Sequence, residues 1–315
     1  MEPNPPADLT PAPTVEYCYR HPSVRTAVHC TRCTRPICTD CMIEAPVGYQ
    51  CPECVQDARR EFRRDPGRPR IRVSRWSATK LLVGALLVAF VIESVYGVRH
   101  GTPSALLNGP SPRSMIRLGA LQPYLIASGQ YWRLFSAIFL HQGLIHIAFN
   151  AYALWLFGQF VDQTYGTPRF LLLFFLTGFL ASATSYAFGP ANTIGVGASG
   201  AVFGIFGAFI AYHFRRRRSA MSAASLRWAM TMILLNAFLA FSFRAIDWRA
   251  HLGGLLAGFV AGYALEGFGS RSTRRLVAVG GIALLVVAGV AMVVWRTDAL
   301  RAMPDFDQAV RIFGA

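Results

Sequence analysis

Four polar side chains interrupt otherwise apolar stretches of this chain: His146, Asn150, Ser199 and His251. Polar groups in such surroundings are costly, which makes them candidates for function. Ser199 lies in Gly195-Val196-Gly197-Ala198-Ser199-Gly200, whose glycines permit a tight turn and a close backbone approach. A helix starting there surrounds the serine with N–H groups that have no partner within the helix. The soluble-hydrolase pattern G-x-S-x-G is not met, because residue 201 is alanine. His251 opens a second run, Ala250-His251-Leu252-Gly253-Gly254, in which Gly254, Gly258 and Gly262 recur every four residues. Gly200, Gly204 and Ala208 form a matching small-residue stripe. Stripes of this kind let two helices approach closely, and that contact would bring His251 to Ser199. Serine is a poor nucleophile until a base takes its proton. His146 and Asn150, four apart, share a helix face and can both donate to a developing oxyanion. Singly, Ser199 reads better as a small residue packing between helices, and His146 and Asn150 as interhelical hydrogen bonding. Together they make a Ser–His pair with an oxyanion site, the minimum for acyl transfer.

A second constellation precedes them. The pairs Cys18-x-x-His21, Cys30-x-x-Cys33, Cys38-x-x-Cys41 and Cys51-x-x-Cys54 contain all seven cysteines of the chain. Two-residue gaps let both ligands of a knuckle turn onto one ion, and zinc takes four such N/S ligands tetrahedrally. Eight ligands fit two structural zinc ions. A disulfide framework fails, since seven cysteines cannot all pair and a histidine holds one knuckle position. So small a domain would draw its folding energy from the metal. His29 reads as a surface residue outside the set.

The elements that must carry these groups follow from composition. Of 315 residues, 53% are apolar and only 15% charged, below the roughly 25% of soluble domains. Runs near the roughly 20 residues a span needs are expected at 79–98, 144–161, 170–187, 197–214, 226–243, 250–265 and 276–294. The net charge of +15 is almost all arginine, Lys80 being the sole lysine. Because the arginines flank apolar runs, they fit membrane orientation better than nucleic acid. The linker, Arg169, Arg215–Arg218 and the group Arg271, Arg274 and Arg275 all fall on one side of a seven-span chain. By the positive-inside rule that side is the cytoplasm, leaving the C-terminus external. No secretory signal pattern is read at the N-terminus, so the cysteine-rich head is expected in the cytosol, where thiols stay reduced. The Pro-, Ala- and Thr-rich residues 1–15 are expected to be disordered. The basic stretch 59–77 reads as a linker lying on an anionic leaflet.

The order of metal pairs resembles the B-box zinc finger. That resemblance implies a cross-brace, with Cys18, His21, Cys38 and Cys41 on one ion and Cys30, Cys33, Cys51 and Cys54 on the other. It also implies that the head, residues 16–58, binds a cytosolic protein partner. From residue 79 to 268 the chain resembles the rhomboid proteases. The residues that carry this are Trp132-Arg133, His141-x4-His146-x3-Asn150, Gly197-x-Ser199-Gly200 and Ala250-His251-x-x-Gly254.

The rhomboid resemblance implies an all-α polytopic fold: a six-helix bundle over residues 78–268, with a seventh transmembrane helix and a tail in 269–315. It implies Ser199 as nucleophile, His251 as base, and His146, Asn150 and the Ser199 N–H as oxyanion donors, with no cofactor for catalysis. Trp132 and Arg133 would order the first loop, His141 would have a structural or hydrogen-bonding role, and Phe203 would stack on the histidine. The expected reaction is hydrolysis of peptide bonds within or beside the helices of transmembrane substrates. The arginine- and alanine-rich composition with one lysine points to a bacterium, hence a bacterial plasma membrane. A rhomboid-like pseudoprotease that escorts membrane clients is the alternative, which loss of Ser199 or His251 would mark; both are present. A transporter would show internal repeats, and a membrane zinc protease would carry H-E-x-x-H; neither pattern occurs. Glu93 and Asn236 read as packing or substrate-path residues, and Asp247 as a loop charge.

Overall fold

The computed structural model describes residues 16–45, 47–64, 77–242, 246–267 and 269–314. The N-terminal residues 1–15 and most of the basic linker lie outside the described residues. The chain divides into two compact units, residues 1–68 and 69–315.

The smaller unit is built from short hairpins. Strand β1 (Glu16–Tyr17) pairs antiparallel with β2 (Arg25–Thr26), and β3 (Ile43–Glu44) with β4 (Tyr49–Gln50). Its interior holds Ile37 and six buried cysteines, with Cys33 half-buried. Helix α1 (Pro52–Arg64) follows. It starts on a proline, whose missing N–H costs nothing at a helix N-terminus. It runs on through Arg59–Arg64, since no breaker precedes Pro66.

The larger unit is helical. Helix α2 (Ala78–Arg99) is followed by a first loop holding four short helices: α3 (Ala105–Asn108), α4 (Pro112–Leu118), α5 (Pro123–Ala127) and α6 (Arg133–Ser136). Then come α7 (Leu144–Tyr165), α8 (Thr167–Phe188), α9 (Ser199–Arg215), α10 (Ala220–Ser242), α11 (Trp248–Glu266), α12 (Arg271–Arg301) and α13 (Phe306–Gly314). Helices α2, α7, α8, α10 and α12 are long and apolar enough to cross a membrane. Buried residues fill 72% of the apolar window of α8 but only 11% of those of α10 and α12, so α8 is central and the other two are peripheral. The chain is an all-α multi-pass membrane protein in its larger unit.

All seven expected spans are helices, with shifted ends. Helix α10 begins six residues before the apolar run because Ala220–Ser225 contains no breaker. Helix α12 is capped by Ser270, which accepts from Thr273 N at 3.2 Å, and continues past Val294 to Arg301 because no Gly or Pro follows before Pro304. Helix α9, with 17 residues, is about 26 Å long against a hydrocarbon thickness of about 30 Å. If its arginine-rich C-terminal end sits at the interface, its first residue, Ser199, lies below the opposite surface.

Helices α9 and α11 meet backbone to backbone. A Cβ added to Gly254 would lie 2.0 Å from the Gly200 carbonyl oxygen, and one on Gly258 1.9 Å from that of Gly204. The two stripes expected from sequence therefore face one another. Helix α8 packs on the same pair, with Thr177 against Gly204 and Ala181 against Gly200. At the far end Glu266 of α11 accepts from Arg216 at 2.8 Å and pairs with Arg215 at 3.2 Å. Gly258→Ala is expected to destabilise the protein by about 1–3 kcal/mol, the usual cost of overpacking. Gly280→Ala, whose Cβ meets nothing within 4 Å, should keep or raise the melting temperature in detergent, alanine being the better helix former. Equal melting of the two variants would contradict the close contact.

Candidate active site and metal-binding clusters

Ser199 is the first residue of α9 and His251 lies in the first turn of α11. The first helical bond of α9 runs from Val202 N to Ala198 O at 2.9 Å, which leaves the Ser199 and Gly200 N–H groups ahead of the ladder. Phe203, four residues after Ser199, shares its helix face. The His251 ring stacks on Phe203 with centroids 4.3 Å apart and planes at 16°. The imidazole is thereby held over the face that carries Ser199, and both residues are half-buried.

The turn before Ser199 is tied down by backbone. Gly195 exchanges two 2.9 Å hydrogen bonds with Leu121 of the first loop, and Gly197 N donates to Ala137 O at 2.9 Å. Gly197 has φ +123°, a conformation that L side chains rarely adopt. A Cβ there would also lie 2.7 Å from His146 Nε2, so His146 reaches the turn at van der Waals distance. Asn150, buried one turn further along α7, donates through Nδ2 to His146 O at 3.1 Å. Its Nδ2 lies 3.9 Å from the same Cβ position.

Backbone partners set the two histidine tautomers. Gln142 N donates to His146 Nδ1 at 3.2 Å, so the proton of a neutral His146 sits on Nε2, facing the turn. His141 is the reverse. Its Nδ1 donates to Phe139 O at 3.2 Å, and its Nε2 accepts from Ala198 N at 3.5 Å. His141 is thus buried beneath the serine turn as a fixed acceptor.

In the first loop Arg133 is buried and donates through Nη1 to Ile116 O at 2.7 Å and Ala120 O at 3.0 Å. Its Nε donates to Gln130 Oε1 at 2.8 Å, and Trp132 covers the guanidinium at 4.8 Å. Those bonds fold α4 and α6 against one another.

Three residues acquire contacts that spacing alone does not reveal. Glu93, buried in α2, accepts the His141 backbone N–H on both oxygens at 3.0 and 3.1 Å. Asp247 is the N-cap of α11, accepting from Arg249 N at 3.1 Å and Ala250 N at 3.3 Å, and it also accepts from Ser185 of α8. It fixes the helix that carries His251 and is not a free loop charge. Asn236 donates to Met232 O at 2.9 Å and lines an apolar cavity of about 160 Å³ with Phe203, Trp248, His251 and Leu252. An acid inside an apolar run was the one sequence signal for Glu93; an aspartate just before a helix was the signal for Asp247.

The N-terminal unit has two clusters that could each hold a metal ion, Cys18, His21, Cys38 and Cys41 in one and Cys30, Cys33, Cys51 and Cys54 in the other. In the first, His21 Nδ1 lies 3.2 Å from Cys38 Sγ and 3.4 Å from Cys41 Sγ; in the second, Cys33 Sγ is 3.7 Å from Cys51 Sγ. Zinc–ligand bonds of about 2.0–2.3 Å set tetrahedral edges of roughly 3.5–3.8 Å, so the donors fit that ion. Burial raises the Cys30 thiol, but N–H groups of Cys51, Cys33 and Arg32 outweigh it and bring it down to about 6. Burial, with the neighbouring thiols, pushes Cys54 up to about 12. Thiolates held this close repel one another, and a dication between them would relieve that repulsion. His29 is exposed and paired with Glu16.

Comparison with known proteins agrees with this geometry. The rhomboid domain profile matches residues 128–268. The chain is 38% identical over 184 residues to the rhomboid protease GluP of Bacillus subtilis, covering 57% of this chain and 36% of that one. It is 31% identical over 138 residues to the rhomboid homologue YdcA of the same organism, covering 44% of this chain and 69% of that one. Rhomboid-like protease 1 of Toxoplasma gondii is 35% identical over 161 residues, 49% of this chain and 53% of that protein. This chain belongs to the rhomboid family. It spans between about a third and about two thirds of the length of these relatives. The rhomboid profile covers α7 to α11, the helices that carry all four polar residues, and ends before α12.

Removing the Glu93 carboxylate strands the buried His141 N–H. Glu93→Ala is therefore expected to cost about 1–3 kcal/mol, and Glu93→Gln, which keeps an acceptor, clearly less. Thermal unfolding in detergent checks the order; equal losses would show that the carboxylate does not hold His141.

Proposed function

We propose that this rhomboid is an intramembrane serine endopeptidase that hydrolyses peptide bonds within or next to the transmembrane helices of membrane-protein substrates. The observation that carries the reading is the stacking of His251 on Phe203, one turn beyond Ser199, on helices in backbone contact. His251 takes the Ser199 Oγ proton as Oγ attacks the scissile carbonyl carbon. The oxyanion accepts from His146 Nε2–H, Asn150 Nδ2–H and the Ser199 N–H. His251 passes its proton to the leaving amine. Water then hydrolyses the acyl-enzyme, with His251 taking its proton and returning one to Ser199. Phe203 keeps the imidazole in place by stacking alone, since it has no hydroxyl. Gly197 and Gly200 let the turn close, and Trp132, Arg133 and His141 hold the surrounding loops. Catalysis needs no cofactor.

The protease core is residues 78–268, with 269–315 an added transmembrane helix and tail. The core lies in a bacterial plasma membrane with the N-terminus cytoplasmic and the C-terminus external. The head, residues 16–58, holds two structural zinc ions in the clusters described above, which would supply its folding energy, and binds a cytosolic protein partner. Deleting residues 1–58 should change substrate choice or rate in cells, and unchanged cleavage would remove the partner from the proposal.

The test is cleavage of a labelled single-span substrate in liposomes. Ser199→Ala and His251→Ala, each shown to be folded, should lose activity by about 10⁴-fold or more. His146→Ala should lose about 10²-fold. Cleavage unchanged in either dyad variant would refute the assignment. A wild type that cleaves none of several substrates would favour the client-binding pseudoprotease. Metal analysis of the purified chain should find about two zinc ions, as the eight ligands require; a zinc-free, folded head would refute the metal assignment.

A further inference from the structure

The turn that carries Ser199 starts where α8 ends, at Gly189. The Gly189 carbonyl accepts from Arg296 Nη2 of α12 at 3.0 Å. Further along, Ala191 O accepts from Gln122 Nε2 at 3.3 Å, and Gly195 pairs with Leu121. One flank of the turn therefore hangs on α12 and the other on the loop segment 121–127.

The same C-terminal region holds that loop segment. Arg301 Nε donates to Ala127 O, at the end of α5, at 2.8 Å. Tyr124 of α5 stacks on Phe313 of α13 with centroids 6.0 Å apart and lies tilted against Phe306 at 6.2 Å. Thr297 shares a 2.9 Å hydrogen bond with the buried hydroxyl of Tyr186 in α8. Leu121, Tyr186, Val293, Leu300 and Ala309 belong to one buried cluster. Helix α12 has 31 residues, about 46 Å, where a span of about 30 Å would do. Every contact named here except Val293 lies in the part beyond the expected apolar run, which ends at Val294.

We propose that residues 296–313 form a brace that positions the Ser199 turn, gripping Gly189 directly and Leu121–Ala127 through α5 and α13. Arg296 and Arg301 are positioning residues, since neither touches the reacting groups. The inference rests on the proteolytic reading above, and the brace itself can be tested without it.

The 315-residue chain in detergent serves for both parts. Arg296→Ala/Arg301→Ala is expected to lose kcat about tenfold or more with KM within about twofold, as misplaced catalytic groups do. Arg301→Lys, which keeps a donor for Ala127 O, should recover most of the loss of Arg301→Ala. Hydrogen exchange should rise over residues 189–199 and 121–130 in the double variant while α9 and α11 stay protected. Wild-type kcat with wild-type exchange over 189–199 would overturn the brace. So would exchange raised equally through α9 and α11, which would mean general loosening. A wild type that cleaves nothing would refute the proteolytic reading alone, and exchange over 189–199 would still decide the brace.

Discussion

The contact between α9 and α11 is what the rest of this structure depends on. Lipid supplies no hydrophobic drive for one apolar helix to leave it for another, so association rests on fit and on dispersion at short range. Here the fit is backbone on backbone. Gly254 and Gly258 offer no Cβ where the carbonyls of Gly200 and Gly204 pass. The contact extends over two turns and fixes the rotation of each helix as well as their spacing. Ser199 and His251 project from the same end of the pair, so their relation follows from the packing and not from a bond between them. Gly204 is also pressed by Thr177 of α8. Three helices therefore share one small-residue seam.

Around that seam, polar side chains serve mainly to immobilise backbone. Glu93 holds the N–H of His141, whose ring receives the N–H of Ala198. Arg133 gathers carbonyls of the first loop, and Asp247 caps α11 while bound to Ser185. None of these groups could be left unsatisfied in hydrocarbon. Glu93, His141, Arg133 and Asp247 each bind a segment distant in sequence, which stiffens the loops on either side of the proposed dyad.

Much of this was legible in the sequence because its signals are local. Apolar runs gave the seven long helices, four-residue glycine spacing gave the α9–α11 seam, and two-residue gaps gave the two Cys/His clusters. What stayed hidden depends on contacts across the fold. Glu93 reads only as an acid in a span until His141 is placed beside it. The His213–Ser222 hydrogen bond, 3.2 Å and buried, joins two helices across an arginine-rich loop that gives no hint of it. The last turns of α12 and all of α13 carry no run long enough to suggest a span. Their apolar residues find partners on α8 and on α5, which returns from the first loop to meet them.

The cross-braced head has a consequence of its own. Its ligand pairs alternate between clusters along the chain, so the segment closed by the first, Cys18 to Cys41, contains Cys30 and Cys33 of the second. Neither cluster can be excised, duplicated or lost as a contiguous stretch of gene. Nor can either be completed during synthesis before the chain has passed Cys41, or both before it has passed Cys54. In heredity and in synthesis alike, the head behaves as an indivisible unit.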